Sequence, residues 1–206
     1  MNLKTDITGV LIKTERLVLR EWRQTDLNDF FEYASVDGVG QPAGWAPHEN
    51  IEVSRRILNL FINEKKTFCI EFCGKAIGSV GIEPYEEKDY PEFGNLKGRE
   101  IGYVLSKNYW GRGIMPEAVK AVCAYCFKTL KADFLLCGYF TFNKQSARVQ
   151  QKCGFKYLKT LPRKTRIGTE EQTVMNVLYA KDFFAGVGEE NLNGADSGNG
   201  NFSLSD

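Results

Sequence analysis

A glycine-rich turn runs directly into a helical pattern in the stretch NYWGRGIMPEAVKAV, residues 108–122. From Ile114 to Leu130 apolar residues recur at spacings of three and four with charged residues opposite, which predicts an amphipathic helix that covers a sheet. The next stretch, DFLLCGYFTFN (133–143), is almost continuously apolar, as is typical of a strand buried on both faces. With the alternating strand GREIGYVL (98–105) before it, the turn therefore lies inside a predicted β-α-β unit.

The sequence outside this unit also shows patterns typical of strands and helices. Extended and helical patterns predict strands at 16–22, 155–161 and 172–180, two strands around a turn at Gly74 and Lys75, helices at 24–34 and 51–65, and a short helix that Asn143 caps and Gly154 ends. After Phe184 the composition changes to Gly, Asn and Ser with only acidic charges, so residues 186–206 are predicted to form a flexible tail.

Length and charge exclude several classes of protein. The 206 residues suit one domain with a sizeable core. With 27 Lys and Arg against 26 Asp and Glu the net charge is +1, so no bulk attraction to nucleic acid or to an anionic membrane is expected. No apolar run is long enough for a secretory signal or a membrane span, and we expect a cytoplasmic protein.

Cysteine and histidine usage argues against a metal site. The six cysteines lie in apolar stretches and are expected to be reduced core residues. Cys123 and Cys126 form a C-x-x-C in the middle of a predicted helix, without a second pair to complete a zinc site. His48 is the only histidine, which excludes multi-histidine metal sites.

Two interpretations of the glycine turn compete. A helix N-terminus exposes unpaired N–H groups, so Gly111 and Gly113 would let an anion approach closely, while Arg112 adds a positive charge. The alternative is a plain tight turn between a strand and a helix. The turn does not have the G-x-x-x-x-G-K-[ST] spacing, and it lacks the third glycine and the acidic residue of a dinucleotide fold.

Three segments in order resemble the successive signatures of the GNAT acetyltransferase superfamily, in its ribosomal-protein N-acetyltransferase-like branch: TERLVLREW, EIGYVLSKNYWGRGIMPEAV and NKQSARVQQKCGFKYL. The resemblance spans about residues 12–181. It implies one α+β domain with a mixed, mostly antiparallel sheet flanked by helices. In this fold the strand ending at Leu105 would splay from the strand beginning at Asp133 and leave a V-shaped opening.

The resemblance also implies acetyl coenzyme A as the acetyl donor, and no metal. In the family the turn is a six-residue pyrophosphate loop, whose first, fourth and sixth positions are Trp110, Gly113 and Met115 here. Backbone groups near the end of the preceding strand would pair with pantetheine, and an Asn-x-x-Ser would lie near the thioester. The residues expected to contact the cofactor are Val104, Leu105, Trp110, Gly111, Arg112, Gly113, Ile114, Met115, Asn143 and Ser146.

The acceptor implied is a primary amine, either a protein or peptide N-terminus or a small molecule such as an aminoglycoside or a polyamine. A non-catalytic acyl-CoA-binding module is an alternative. Amine attack on a thioester needs a base and a donor for the developing oxyanion. Glu100 is the leading candidate base, directly or through water, against the reading of an ordinary ion-paired carboxylate. His48 is a further candidate because its ordinary pKa suits a base, and the alternative is a surface loop histidine without a role. Ser146 could donate a hydrogen bond to the leaving thiolate, and the alternative is a plain residue in the first turn of the helix.

A cationic stretch, LPRKTRIGTEEQ (161–172), is predicted to connect the last two strands. In the family this connection borders the acceptor entrance. Arg163, Lys164 and Arg166 would then repel polycations and favour an acceptor with acidic groups beyond its amine. The alternative is a solvated hairpin loop.

Overall fold

Eight strands form one sheet in the computed structural model, which describes residues 1–186. The strands are β1 (Ile12–Lys13), β2 (Val18–Arg20), β3 (Thr67–Phe72), β4 (Lys75–Glu83), β5 (Gly98–Leu105), β6 (Phe134–Phe140), β7 (Lys156–Lys164) and β8 (Glu170–Tyr179). The helices are α1 (Leu27–Ala34), α2 (Ile51–Glu64), α3 (Ile114–Lys128), α4 (Lys144–Lys152) and α5 (180–186). Apart from Gly186, the predicted tail lies outside the described residues.

The sheet has the order β1-β2-β3-β4-β5-β6-β8-β7. All neighbouring strands are antiparallel except β5 and β6, which are parallel and are connected through α3. This connection is the predicted β-α-β unit. The expectation of a mixed, mostly antiparallel sheet is confirmed.

The parallel pair β5/β6 is short. Its register joins Gly98–Glu100 to Phe134–Leu136 and then stops. Beyond that point β5 continues to Leu105 and β6 to Phe140, but they no longer pair with each other. The predicted V-shaped opening is therefore present between these two strands.

Helix α3 covers one face of the sheet with an apolar stripe. Its buried residues are Ile114, Met115, Ala118, Val119, Val122, Cys123, Cys126 and Phe127. The C-x-x-C pair is thus part of the core, as predicted. All six cysteines are free thiols, and five are buried. Cys73 is exposed because it lies in the turn between β3 and β4, which corrects the expectation that it is a core residue.

The first eleven residues also pack on the sheet. Ile7 lies in the main core and is 1% exposed, and Asn2 bridges to Gly98 at the start of β5.

Two predicted boundaries differ from the structure. The opening strand is shorter than 16–22, because the buried Arg20 side chain donates to both carboxylate oxygens of Asp26 and the chain turns there into a 3-10 turn before α1. The last strand pair is longer than predicted. Cross-strand pairing extends to Lys164 and Glu170, so the connection is only a short turn at 165–169 and not a long cationic loop.

Candidate active site

A cleft of about 640 Å³ occupies the splay between β5 and β6. The end of β5 and the glycine turn border it on one side, and the start of α4 lies across from them. The loop before α2 and the end of β7 complete the wall. Arg166 N–H donates to the Gly44 carbonyl at 2.8 Å, and Asn143 Nδ2 donates to the Pro42 carbonyl at 3.2 Å. The loop before α2 is thereby joined to the turn after β7 and to the residue before α4.

The glycine turn needs glycine for its backbone conformation. Gly111 and Gly113 have φ of 76° and 75°, in the left-handed region that other residues rarely adopt. A Cβ at Gly111 would meet nothing within 4 Å, and one at Gly113 would meet only Arg16 Nη2 at 3.6 Å. Gly113 is the N-cap of α3 and offers no side chain, so the first N–H groups of the helix are left for an external partner.

An ion pair holds this turn from outside the cleft. Arg16 Nη1 donates to the Arg112 carbonyl at 2.9 Å, while its Nε donates to Glu117 on α3 at 2.7 Å. Thr14 also donates to Glu117. Partial burial opposes ionisation of Glu117, but the hydrogen bonds from Thr14 and Arg16 leave its pKa below the usual value. Sequence patterns did not predict this clamp, because Arg16 and Glu117 are 101 residues apart.

Most of the residues expected to contact the cofactor line the cleft: Val104, Leu105, Trp110, Gly111, Gly113, Ile114, Met115, Asn143 and Ser146. Arg112 does not. Its guanidinium lies over the Tyr109 ring, 5.4 Å from the centroid, and its side chain is exposed. The side chains of Ile114 and Met115 pack in the core, so these two residues can offer only main-chain groups to a ligand.

The main-chain groups of β5 alternate between β4 and the cleft. Ser106 N–H donates to the Ile77 carbonyl opposite it, which makes Val104 and Ser79 the next hydrogen-bonded pair of the ladder. The N–H and C=O of Val104 therefore face β4, and the expectation that they pair with pantetheine is wrong. Tyr103 and Leu105 direct theirs to the open side. The Leu105 carbonyl already accepts from Trp110 Nε1 at 2.8 Å.

Asn143 and Ser146 form the predicted helix start. Asn143 Oδ1 accepts from Ser146 N–H at 3.0 Å and caps α4. The Ser146 hydroxyl faces Tyr103 on β5, with 2.8 Å between the two side-chain oxygens. Ser146 thus has its expected place at the helix start and at the wall of the cleft.

Glu100 lies in the cleft, paired with a cation. Its two carboxylate oxygens accept from Nη1 and Nη2 of Arg163 on β7, at 2.5 and 2.8 Å. Burial opposes the charge on Arg163, yet the carboxylate raises the pKa of its guanidinium. Arg163 therefore does not act as a free cation at the mouth, which corrects the expected group of three. Lys164 and Arg166 also line the cleft, and neither takes part in an ion pair within residues 1–186.

His48 is neither a surface residue nor part of the cleft. It is 8% exposed, and its Nδ1 lies 2.7 Å from the Ser54 hydroxyl. Its ring packs against Phe30 and Trp45, and burial lowers its pKa. Both interpretations of this residue from the sequence are corrected, because Phe30 on α1 and Trp45 in the loop before α2 pack against its ring.

The charge of the cleft is strongly unbalanced. Among the described residues that line it, five are basic (Arg148, Lys152, Arg163, Lys164 and Arg166) and one, Glu100, is acidic. Across residues 1–186, no group of three or more His, Cys, Asp or Glu could hold a metal ion. No helix in this part of the chain is long and apolar enough to cross a bilayer.

The chain is similar to known acetyltransferases in sequence and in structure. The acetyltransferase (GNAT) domain family matches residues 16–156. The YkkB protein of Bacillus subtilis (strain 168) is 32% identical over 172 residues, which cover 78% of this chain and 91% of YkkB.

Two solved structures from Vibrio cholerae share the fold and are named for different acceptors. A ribosomal-protein-serine acetyltransferase-like protein superimposes with a TM-score of 0.68 at 19% identity, over 83% of this chain and 98% of its own. A spermidine N-acetyltransferase in complex with CoA and spermine gives 0.67 at 16% identity, over 83% of this chain and 99% of its own. The fold therefore does not decide the acceptor. The match of the family over most of the body, together with the splayed sheet and its glycine turn, establishes that the chain belongs to the GNAT acetyltransferase family and is an acetyl-CoA-dependent N-acetyltransferase.

Proposed function

We propose that this protein transfers the acetyl group of acetyl coenzyme A to the N-terminal amine of a peptide or protein that carries acidic groups near that amine. The observation that carries the proposal is the cleft at the end of the β5/β6 pairing. The glycine turn borders it on one side, and it has five basic lining residues against one carboxylate.

The cofactor side of the cleft fits a diphosphate and an extended pantetheine. Main-chain N–H groups at Gly111–Met115 lead into the start of α3 at Ile114, and no capping side chain occupies the N-terminus of that helix. Tyr103 and Leu105 turn main-chain groups toward the gap that β6 leaves open, so an extended ligand arm could pair with them as an added strand would. Bound acetyl coenzyme A supplies the thioester that the amine attacks.

The acceptor side offers a positive surface. Lys164 and Arg166 lie at the mouth, while the single carboxylate, Glu100, is already balanced by Arg163. A polyamine would meet net repulsion here, whereas an acidic peptide would be attracted. This contrast favours the peptide over the spermidine-type acceptor and over aminoglycosides.

Glu100 is the proposed proton acceptor. A carboxylate has about four lone-pair sites, and Arg163 uses two of them, so Glu100 can still accept from an amine or from a bridging water. Ser146 is the proposed hydrogen-bond donor to the departing thiolate, whose ordinary pKa of about 8.5 means that it needs only modest help. The predicted cytoplasmic location and the domain limits 12–181 stay predictions.

The test is mass spectrometry of acceptors incubated with the protein and acetyl coenzyme A. We expect N-terminal acetylation of a peptide with Asp or Glu at its second and third positions, and little product with spermidine. Preference for spermidine would contradict the acceptor class. Tight binding of coenzyme A without product from any amine would favour the binding module instead.

A further inference from the structure

A chain of buried polar side chains leads from the cleft into the core. It joins Tyr103 on β5 to Ser146 and Gln150 on α4, and then to Asn176 on β8. Gln150 is fully buried, Ser146 and Asn176 are nearly so, and Tyr103 is half-buried at the cleft wall. Gln150 lines neither this cleft nor the smaller pocket beside α4 that Asn176 borders, so its buried polar atoms need an explanation other than contact with a ligand.

At the core end of this chain of side chains, the hydrogen bonds fix the orientation of the Gln150 side-chain amide. Asn176 Nδ2 donates to Gln150 Oε1 at 2.8 Å, which places the NH₂ of Gln150 on the opposite side. That NH₂ donates to the Gly138 carbonyl at 3.1 Å and points its second hydrogen toward Ser146 Oγ at 3.4 Å. Toward Ser146, Gln150 can therefore only donate.

At the cleft end of this chain of side chains, the hydrogen bonds between Tyr103 and Ser146 have two possible arrangements. The single hydroxyl proton of Tyr103 can go to the Ser146 carbonyl, 3.2 Å away, or to Ser146 Oγ, 2.8 Å away. In the first arrangement the Ser146 proton is donated to Tyr103 and is not available to a ligand. In the second, Ser146 Oγ accepts from Tyr103 and from Gln150, so its own proton is available to a ligand in the cleft, which Ser146 lines.

We propose that Tyr103, supported by Gln150 and Asn176, is a positioning residue that sets the Ser146 hydroxyl as a hydrogen-bond donor toward the thioester end of the cofactor. This inference rests on the proposed function, in which Ser146 assists the departing thiolate. Burial raises the pKa of Tyr103, so it remains protonated and able to donate throughout the working pH range. A donor that is itself polarised by two incoming hydrogen bonds is stronger than an isolated hydroxyl.

Three variants test this relation: Tyr103→Phe, Ser146→Ala and the double variant. Tyr103→Phe should lower kcat about tenfold, while the dissociation constant of coenzyme A and the KM for the acceptor stay unchanged, since only one neutral hydrogen bond in the transition state is lost. Ser146→Ala should lower kcat at least as much. The double variant should be no slower than Ser146→Ala alone, because Tyr103 acts only through Ser146.

Tyr33→Phe is the matched control, because it removes a buried hydroxyl outside the cleft and should leave kcat unchanged. A wild-type kcat for Tyr103→Phe, or losses that multiply in the double variant, would overturn the inference alone. Parallel changes in kcat, KM and melting temperature would also overturn it, since they would indicate a structural role. Absence of turnover by the wild-type protein with every amine would contradict the proposed function as well.

Discussion

The two sides of the cleft are built in different ways. Apart from Asn143 and Ser146 at the start of α4, the proposed cofactor side is a contiguous stretch from the end of β5 through the glycine turn into α3, and the groups that it offers are main-chain N–H and C=O. The acceptor side is assembled from side chains that come from distant parts of the chain, such as Glu100 on β5 and Arg163 on β7. A main-chain site keeps its geometry when side chains change, whereas an ion pair can be altered by one substitution. If the cleft is divided in this way, one fold can keep its donor site while its acceptor site changes.

The largest effect is expected on the acceptor side. Glu100→Gln should leave the affinity for coenzyme A unchanged and lower kcat by about 100-fold at neutral pH, if Glu100 takes the proton of the amine. The loss should shrink as the pH rises past the amine pKa of about 8, because more of the amine is then neutral without help. The pH dependence of kcat for both proteins measures this.

Arg163→Gln separates proton transfer from the ion pair, because it breaks the same two hydrogen bonds and leaves the carboxylate in place. It should reduce kcat far less than Glu100→Gln does. Equal, pH-independent losses in the two variants would show that the pair acts only by holding β5 and β7 together.

On the cofactor side, Gly113→Val should weaken coenzyme A binding by more than tenfold, or more than about 1.4 kcal/mol. Valine cannot readily adopt the left-handed φ of 75°, and its side chain would stand at the helix N-terminus where the diphosphate is expected. Calorimetry gives the affinity. Gly74→Val is the control, since Gly74 has a φ of 78° in the β3–β4 turn and a Cβ there meets nothing within 4 Å. An unchanged affinity in a folded Gly113→Val protein would remove the diphosphate from this turn.

The contacts of Arg16 behind the glycine turn should have a smaller effect on the affinity for coenzyme A. Arg16→Ala should weaken coenzyme A binding about fivefold, because the Arg112 carbonyl and Glu117 lose their partner but the glycine conformation remains. The exposed Arg55–Glu52 pair on α2 supplies the control, Arg55→Ala, which should have no effect. Because the pKa of Glu117 is lowered in the folded protein, the clamp is intact above the ordinary value of 4.5 and is lost only as the pH falls through the lowered pKa. Loss of affinity already between pH 7 and 5 would contradict this assignment.

The smallest effect concerns selection at the mouth. Replacing Lys164 and Arg166 by Ser should lower kcat/KM for an acidic peptide and raise it for spermidine, each by about threefold at low salt. The difference should fade at high ionic strength, where exposed charges are screened. Lys13 and Lys128, which are exposed outside the cleft, provide a double Ser control of equal charge. Equal changes for both acceptors would leave these cations without a role in selection.

The sequence predicted the cofactor side better than the acceptor side for a physical reason. The glycine turn, the amphipathic α3 and the Asn143 cap depend on local conformation and periodicity, and the structure has all three. The Glu100–Arg163 pair joins residues 63 apart, and no local pattern reports it. The burial of His48 likewise depends on packing against Phe30 and Trp45, which the residue type alone does not report.

The direction in which the main-chain groups of β5 point also could not be predicted from the sequence. Whether Val104 or Leu105 faces the open gap depends on the pairing register of β4 and β5, which the alternation of apolar residues in β5 does not specify. In the same way the Tyr103–Ser146 contact requires α4 to lie against β5, a matter of tertiary packing.

Hydrogen exchange with and without coenzyme A tests the division of the cleft most directly. With coenzyme A bound, we expect slower exchange of the amides of Gly111–Met115 and of Tyr103 and Leu105, with no change at Lys164–Arg166 until an acidic peptide is added as well. Protection by coenzyme A alone at Lys164–Arg166, with unchanged exchange at the glycine turn, would contradict it.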